Sequence, residues 1–172
     1  VLEELVTNLP LSTLLEQIID RFETRSEGMA RACVRLLDRD GRRLIPVAAR
    51  GLPSTYLDSV GSIAIGEGGG SCGAAAATGA PVYIGDIASD PRWRDLAQTT
   101  LAYGLRACWA TPVRGLGGAV IGTFASYYDH PREPLQHEIE AITVAARTVG
   151  LAIERHLSND RLREQEARAH VD

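Results

Sequence analysis

Residues 33–49 run Cys33-Val-Arg-Leu-Leu-Asp-Arg-Asp-Gly-Arg-Arg-Leu-Ile-Pro-Val-Ala-Ala49. Two apolar segments, 33–38 and 44–49, flank the dipeptide Asp40-Gly41, and Asp-Gly between such segments is a strong short-range signal for a β-hairpin. Proline lacks the amide proton that a central strand needs, so Pro46 predicts an edge or a bulge in the second strand. The stretch therefore predicts two antiparallel strands joined by a tight turn.

Both ends of the chain are predicted to be helical. Apolar residues recur at helical spacing within 2–9 and again from near Ser12 to about Thr24, where Thr13 and Glu16 fit a capping box. A long helix is predicted over residues 135–169, and apolar residues in it repeat as in a coiled coil. The predicted dimer seam contains Ile139, Ile142, Ala146, Val149 and Ile153. Beyond residue 157 the repeat reaches charged residues, so we expect one domain over 1–157 and a charged helical linker over 158–172.

Short strands and helices alternate between the two ends. Helices are predicted over 52–60, about 73–78 and 90–101, the last opened by Asp90-Pro91 and stopped by Gly104. Strands are predicted over 63–65, 81–84, 106–113 and 119–128. Tight turns between neighbouring strands imply an antiparallel sheet covered by helices, which is an α+β domain.

The composition excludes several classes of protein. The 172 residues are 45% hydrophobic and 23% charged with a formal net charge of −4, which is typical of one globular domain. All 18 basic residues are arginine, so chemistry that needs a lysine is excluded, and their scatter predicts no nucleic-acid surface. No apolar stretch approaches the roughly 18 residues of a membrane span. The three cysteines are far apart in the sequence and fit neither a disulfide framework nor a zinc site. We therefore expect a cytoplasmic protein.

Four segments resemble the GAF sensory-domain family. They are residues 70–73 (Gly-Ser-Cys-Gly), 81–87 (Pro-Val-Tyr-Ile-Gly-Asp-Ile), 90–93 (Asp-Pro-Arg-Trp) and 104–112 (Gly-Leu-Arg-Ala-Cys-Trp-Ala-Thr-Pro). They are most similar to the bacterial branch found upstream of histidine kinases and of cyclic-di-GMP synthases and hydrolases. The resemblance implies terminal helices on one face of the sheet, a small-molecule pocket on the other, and homodimers formed through the helices. It also implies a sensory module that relays ligand binding or redox state to a covalently linked output domain.

A predicted ligand site combines an aromatic wall with two orienting polar groups, Asp86 and Arg106. Free amides at the helix start after glycines 68–70 are suited to a polar or anionic group, although the glycines alternatively serve only a tight turn. Each aromatic side chain is alternatively ordinary core, and alternation along the strand places Cys108 and Trp109 on opposite faces. The predicted ligand-binding residues are Gly70, Ser71, Cys72, Tyr83, Asp86, Trp93, Tyr103, Arg106, Cys108 and Trp109.

Cysteine chemistry forms a second hypothesis. Cys72 lies at a predicted helix start, where the helix dipole favours the thiolate, so Cys72 and Cys108 are redox candidates; alternatively they are core residues, as Cys33 is expected to be. Relatives that reduce free methionine sulfoxide share the Gly-x-Cys-Gly segment, but their catalytic cysteine falls in a segment that here runs Pro-Arg-Trp-Arg-Asp (91–95). We therefore expect no enzyme, with a thiol-based reductase and a ligand-free dimerisation module as alternatives.

The ligand itself is left open by the sequence. No metal site is predicted, because all four histidines follow the proposed pocket, which counts against a haem or non-haem iron ligand inside it. The lysine motif of cyclic-nucleotide-binding relatives is absent, and so is the Cys-His pair common in bilin-binding relatives. The histidines are His130, His137, His156 and His170.

Overall fold

The computed structural model describes residues 10–170, so the helix predicted within residues 2–9 lies outside the described residues. Five helices and six strands follow one another in that range, with one 3₁₀ turn at Pro91–Trp93. The helices are α1 (Leu11–Arg25), α2 (Ser54–Val60), α3 (Gly70–Thr78), α4 (Ala97–Ala102) and α5 (Gln136–Ala169). The strands are β1 (Arg31–Leu37), β2 (Arg43–Ala49), β3 (Ile63–Ala64), β4 (Val82–Ile84), β5 (Ala107–Arg114) and β6 (Val120–Tyr128).

The strands form one six-stranded antiparallel sheet in the order β3-β2-β1-β6-β5-β4. The predicted hairpin is β1 and β2, with Leu37 opposite Leu44. The register shifts between Val34 and Arg35, which pair with Ala48 and Pro46 and leave one extra residue on β2. The predictions of an α+β fold and of a bulge beside the proline are therefore confirmed.

Each face of the sheet carries its own core. Strand β5 lies between β6 and β4 and is buried along nearly its whole length, as expected for a strand covered on both sides. Its residues alternate: Trp109 and Val113 join the core under α1 and α5, while Cys108 and Ala110 join the core under α2 and α3. The terminal helices therefore lie on one face and the short helices on the other.

The repeat in α5 serves the core of the chain itself. Four of the five residues predicted for a dimer seam are at most 4% exposed and pack with Leu15 and Ile19 of α1 on the sheet. A helix that packs on a sheet buries apolar residues at the same alternating intervals of three and four residues as a coiled coil does. The repeat alone therefore did not show whether α5 packs on its own sheet or on a second helix. The four residues are Ile142, Ala146, Val149 and Ile153.

Several predicted helix ends are wrong. The N-cap of α1 is Pro10 and makes no side-chain cap bond, so Thr13 and Glu16 lie within the helix and form no capping box. The helix α3 begins at Gly70, three residues earlier than predicted. The predicted helix over 90–101 is divided into the 3₁₀ turn and α4, because the turn directs the buried indole of Trp93 into the core.

Candidate functional site

A buried arginine lies at the centre of the core beneath α3. Arg35 is two residues after Cys33 on β1, so both side chains point to the same face, and Arg35 is 0% exposed. Its Nη1 donates to the Oη of Tyr127 at 3.2 Å and to Cys33 Sγ at 3.0 Å, with Cys72 Sγ at 3.7 Å. Within residues 10–170, its Nε and Nη2 have no hydrogen-bond partner, and no carboxylate pairs with it. A charge is thus buried without a carboxylate counter-ion.

Two free thiols, Cys33 and Cys72, contact this guanidinium, and a third, Cys108, is hydrogen-bonded to Cys72. A hydrogen bond from the thiol of Cys108 lowers the pKa of Cys72, and the nearby charge of Arg35 lowers it further, against the opposing effect of burial. Burial raises the pKa of Cys33 and raises that of Cys108 well above its ordinary value. Cys72 is therefore the thiol that ionises most readily, and its sulfur lies beside the positive charge of Arg35.

Hydrogen bonds fix α3 against the sheet and the 3₁₀ turn. The hydroxyl of Ser71 donates to the backbone carbonyl of Cys108 at 2.8 Å and accepts from Nε1 of Trp93 at 3.1 Å. Gly70 has φ +65°, and a Cβ there would lie 3.0 Å from the indole of Trp93. The first turn of α3 is therefore held in close contact with the indole, with the neighbouring residue Cys72 facing Arg35.

Aromatic rings enclose the remaining side of the site. Tyr56 on α2 lies edge-on to Tyr103 and Tyr127, with ring centroids 5.3 and 5.8 Å apart, and Trp93 lies 6.4 Å from Tyr127. The hydroxyl of Tyr56 is 3.0 Å from Oγ1 of Thr100 on α4, which connects the two short helices. Burial raises the pKa of both Tyr56 and Tyr127, so these phenols stay protonated. The wall around Arg35 is therefore apolar except for thiols and hydroxyls.

Six of the ten residues predicted for the ligand site belong to this region. Tyr83 and Trp109 instead pack in the core under the terminal helices, because alternation along β4 and β5 turns them to the opposite face. Asp86 and Arg106 lie near the surface, both about 40% exposed, with their side chains 3.9 Å apart. The residues gathered around the site are Gly70, Ser71, Cys72, Trp93, Tyr103 and Cys108.

The sequence analysis missed the residues that give the site its polarity. Arg35 is a charged residue in the middle of an apolar strand, two positions from Cys33, and that spacing was an available signal. Tyr56, Thr100 and Tyr127 carried no comparable signal, because their roles depend on contacts between distant parts of the chain. Among the described residues, no group of His, Cys, Asp or Glu side chains is arranged to hold a metal ion.

Trp109 connects the sheet to the start of α5. Its Nε1 donates to the backbone carbonyl of Arg132 at 3.2 Å, and the guanidinium of Arg132 lies 4.9 Å from the centre of its ring. Arg132 in turn donates to Glu138 at 2.7 Å, and Glu138 accepts from the backbone amide of Leu135 at the beginning of α5. Neighbouring residues of β5, Cys108 and Trp109, thus face the candidate site and the anchor of α5, respectively.

Comparison with known proteins agrees with this architecture. A sequence model described as the GAF domain matches residues 8–154, and the chain belongs to the GAF domain family. A curated relative, the methyl sulfide methyltransferase-associated sensor of Methanosarcina acetivorans, is 34% identical over 168 residues, or 98% of this chain. The chain spans only 17% of that relative's length.

Two solved structures have the same fold. A domain of a putative two-component sensor histidine kinase from Sinorhizobium meliloti matches with a TM-score of 0.75 and 24% identity, covering 91% of this chain and 99% of that one. The free methionine-R-sulfoxide reductase of Neisseria meningitidis matches with a TM-score of 0.72 and 18% identity, covering 91% of this chain and 86% of that one. The fold therefore occurs in both sensors and enzymes. No helix between residues 10 and 170 is long and apolar enough to cross a membrane.

Proposed function

We propose that this chain is the sensory domain of a bacterial signal-transduction protein and that it binds a small molecule between α3 and the sheet. The observation that carries the proposal is Arg35, a fully buried guanidinium with unpartnered donors inside an aromatic wall. Buried charges are costly unless they are paired, and strongly perturbed groups cluster at functional sites. The curated relative is itself called a sensor, and the Sinorhizobium structure is a domain of a histidine kinase protein.

The signal passes through β5 to α5 in this proposal. A ligand that shifts Cys108 also shifts Trp109, the next residue of the same strand, and Trp109 contacts Arg132, which is bound to Glu138 at the start of α5. Residues 158–172 then act as the linker to an output domain, either a kinase or an enzyme that makes or degrades cyclic di-GMP. Such coupling requires that the ligand stabilise one of two arrangements of α5.

Native mass spectrometry of the purified protein, compared with its denatured mass, tests ligand binding. We expect an additional small mass that is lost on denaturation, and we expect Ala75→Leu to abolish it because Ala75 is fully buried in the core beneath α3. The matched control is Ala77→Leu, at an exposed position of the same helix. A bound mass that persists in Ala75→Leu would contradict this location for the ligand.

We further propose that two copies associate through the exposed face of α5. Val144 and Leu151 are seven residues apart on this face and are 57% and 61% exposed, unlike the buried residues of the predicted seam. Replacing both with Glu is expected to convert a dimer into a monomer by light scattering. Ile45→Glu, at an exposed apolar residue of β2, is the control. A dimer unaffected by the double substitution would exclude this face.

Thiol sensing is the second candidate, favoured by the free thiol of Cys72, which contacts Arg35 and is hydrogen-bonded to the free thiol of Cys108. With hydrogen peroxide as oxidant, the Cys72 thiolate attacks one peroxide oxygen and releases hydroxide, which gives a sulfenic acid. The thiol of Cys108 then displaces water to form a disulfide. A mass loss of two hydrogens that requires both cysteines would support this reaction. Turnover of free methionine sulfoxide with a thiol reductant, abolished in Cys72→Ser, would instead identify a reductase.

A further inference from the structure

The donors of Arg35 are divided between the two sides of its guanidinium. The Nη1 group meets Tyr127 and the thiols of Cys33 and Cys72. The Nε and Nη2 atoms are buried and have no hydrogen-bond partner among the described residues. In a guanidinium, Nε–H and one N–H of Nη2 point in the same direction and match the two oxygens of a carboxylate. The free side is thus the side suited to a bidentate anion.

Arg35 leaves more buried donors unpartnered than the other arginines of the described residues: Arg106 leaves only Nε and Arg132 only Nη1, whereas Arg35 leaves both Nε and Nη2. Arg114, for comparison, donates from Nη1 to the carbonyl of Gly118 at 2.6 Å and from Nη2 to the carbonyl of Gly79. Leaving a buried charged donor unpartnered costs more than replacing it with an apolar side chain. The donors that Arg35 leaves free therefore indicate a group that is not part of the chain.

We propose that Arg35 binds the carboxylate of a small ligand through Nε and Nη2. This inference rests on the proposed function and specifies the chemistry of its ligand. The neighbouring rings of Tyr56, Trp93 and Tyr127 favour an apolar or aromatic body attached to the carboxylate. A ligand with a single carboxylate fits better than one with several, because Arg35 offers one pair of free donors.

The first turn of α3 adds a favourable field for such an anion. Cys72 is the third residue of that helix, and the amides of the first helical turn carry partial positive charge. Arg35 contacts Cys72 through Nη1, so the helix start lies beside the guanidinium, next to its Nη1 side. The field of the helix start therefore adds to that of the guanidinium.

Nuclear magnetic resonance of ¹⁵N-labelled protein tests the proposal on the unmodified chain. The probes are propionate and benzoate, each compared with its neutral amide, propionamide or benzamide, and with inorganic phosphate. We expect a carboxylate to shift the Nε–H resonance of Arg35 downfield in a saturable manner, and the amides to leave it unchanged. Nuclear Overhauser contacts between that proton and the side chain of Cys33 assign the resonance.

Variants then separate charge from geometry. Arg35→Gln is expected to weaken carboxylate binding at least about tenfold, and Arg35→Lys is expected to weaken it as well, because an ammonium cannot form the paired bond. The control is Arg39→Gln, at an exposed position just after the same strand. Fluorescence of Trp93 in a Trp109→Phe background measures binding, since these are the only two tryptophans.

The outcomes are distinguishable from those for the proposed function. Equal binding of benzoate and benzamide would overturn recognition of an anion by Arg35 while leaving a small-molecule site in place. A response to phosphate alone would overturn the carboxylate assignment. Carboxylate binding that survives in Arg35→Gln would show that the anion binds elsewhere. Failure of all probes to move the Nε–H resonance would overturn the proposal, and the native mass measurement would still test for a ligand of other chemistry.

Discussion

Replacing Arg35 with methionine is expected to stabilise the folded protein. Methionine has a similar length but no charge and no unpartnered donors. The comparison is made in a Cys72→Ser background, so that no buried thiolate loses its neighbouring cation. The substitution then loses the contacts of Nη1 with Tyr127 and Cys33, and a typical hydrogen bond contributes about 1 kcal/mol; it also removes two buried donors whose lack of partners costs about 1–3 kcal/mol each. Replacing buried ionic groups by apolar side chains is often neutral or stabilising. We therefore expect the free energy of unfolding to increase by about 1–3 kcal/mol.

Urea unfolding followed by circular dichroism at pH 7 measures this change. The matched substitution is Arg114→Met, which removes two donors that are bonded to backbone carbonyls and is expected to lower the free energy of unfolding by about 1 kcal/mol. The same substitution is thus expected to increase the free energy of unfolding at residue 35 and to decrease it at residue 114. A loss of about 2 kcal/mol or more in Arg35→Met would show that Arg35 is a structural brace, and it would refute the reasoning from unpartnered donors.

Three further predictions concern thiol ionisation, backbone geometry and the anchor of α5. Because the pKa of Cys72 is lowered in the folded protein, the unfolded chain binds more protons between that value and the ordinary thiol pKa of about 8.5. The free energy of unfolding should therefore rise with pH across this window, by at most about 1.4 kcal/mol per pH unit, and should fall as the pH drops through the pKa of Cys72 in the folded protein. Cys72→Ser should remove this dependence on pH, and an unchanged dependence would exclude a thiolate at Cys72. Gly70→Ala should destabilise by about 1–2 kcal/mol in urea because its φ is +65° and the new methyl group meets Trp93, whereas Gly117→Ala, with nothing within 4 Å, should change stability by less than about 0.5 kcal/mol. Glu138→Ala should increase hydrogen exchange in the first turn of α5, since that carboxylate accepts two donors there; unchanged protection would show that the anchor lies elsewhere.

Local sequence chemistry predicted the parts of the fold that depend on neighbouring residues. The hairpin over 33–49 needed only its Asp-Gly turn and its alternating side chains, and the structure agrees with it. The helix predicted over 90–101 failed because the burial of Trp93 is a tertiary effect that outweighs local helical spacing. Similarly, the repeat in α5 predicted an apolar stripe correctly but did not show that the sheet of the same chain covers it.

The candidate site was half predictable for a related reason. The contiguous segment 70–73 places its residues together whatever the rest of the fold does, and it lies in the site as expected. Arg35 required the knowledge that both faces of β1 are covered, because only then is the charge necessarily buried. Tyr83 and Trp109 were predicted to bind ligand because they are aromatic. Strand alternation already placed Trp109 on the face opposite Cys108, so only one of Cys108 and Trp109 should have been predicted for the site.

Because α5 extends well beyond the sheet that anchors it, a small rotation at the sheet produces a larger displacement at the end of the helix. Its last buried residue is Ile153, and residues 160–169 are exposed while remaining helical. The helix between Ile153 and Ala169 is therefore a lever of about 24 Å, at 1.5 Å per residue. A rotation of about 10° at the sheet moves its far end by about 4 Å on this geometry. In the proposed relay, a rotation of this size that begins at Trp109 would therefore displace Ala169 by roughly the width of one side chain.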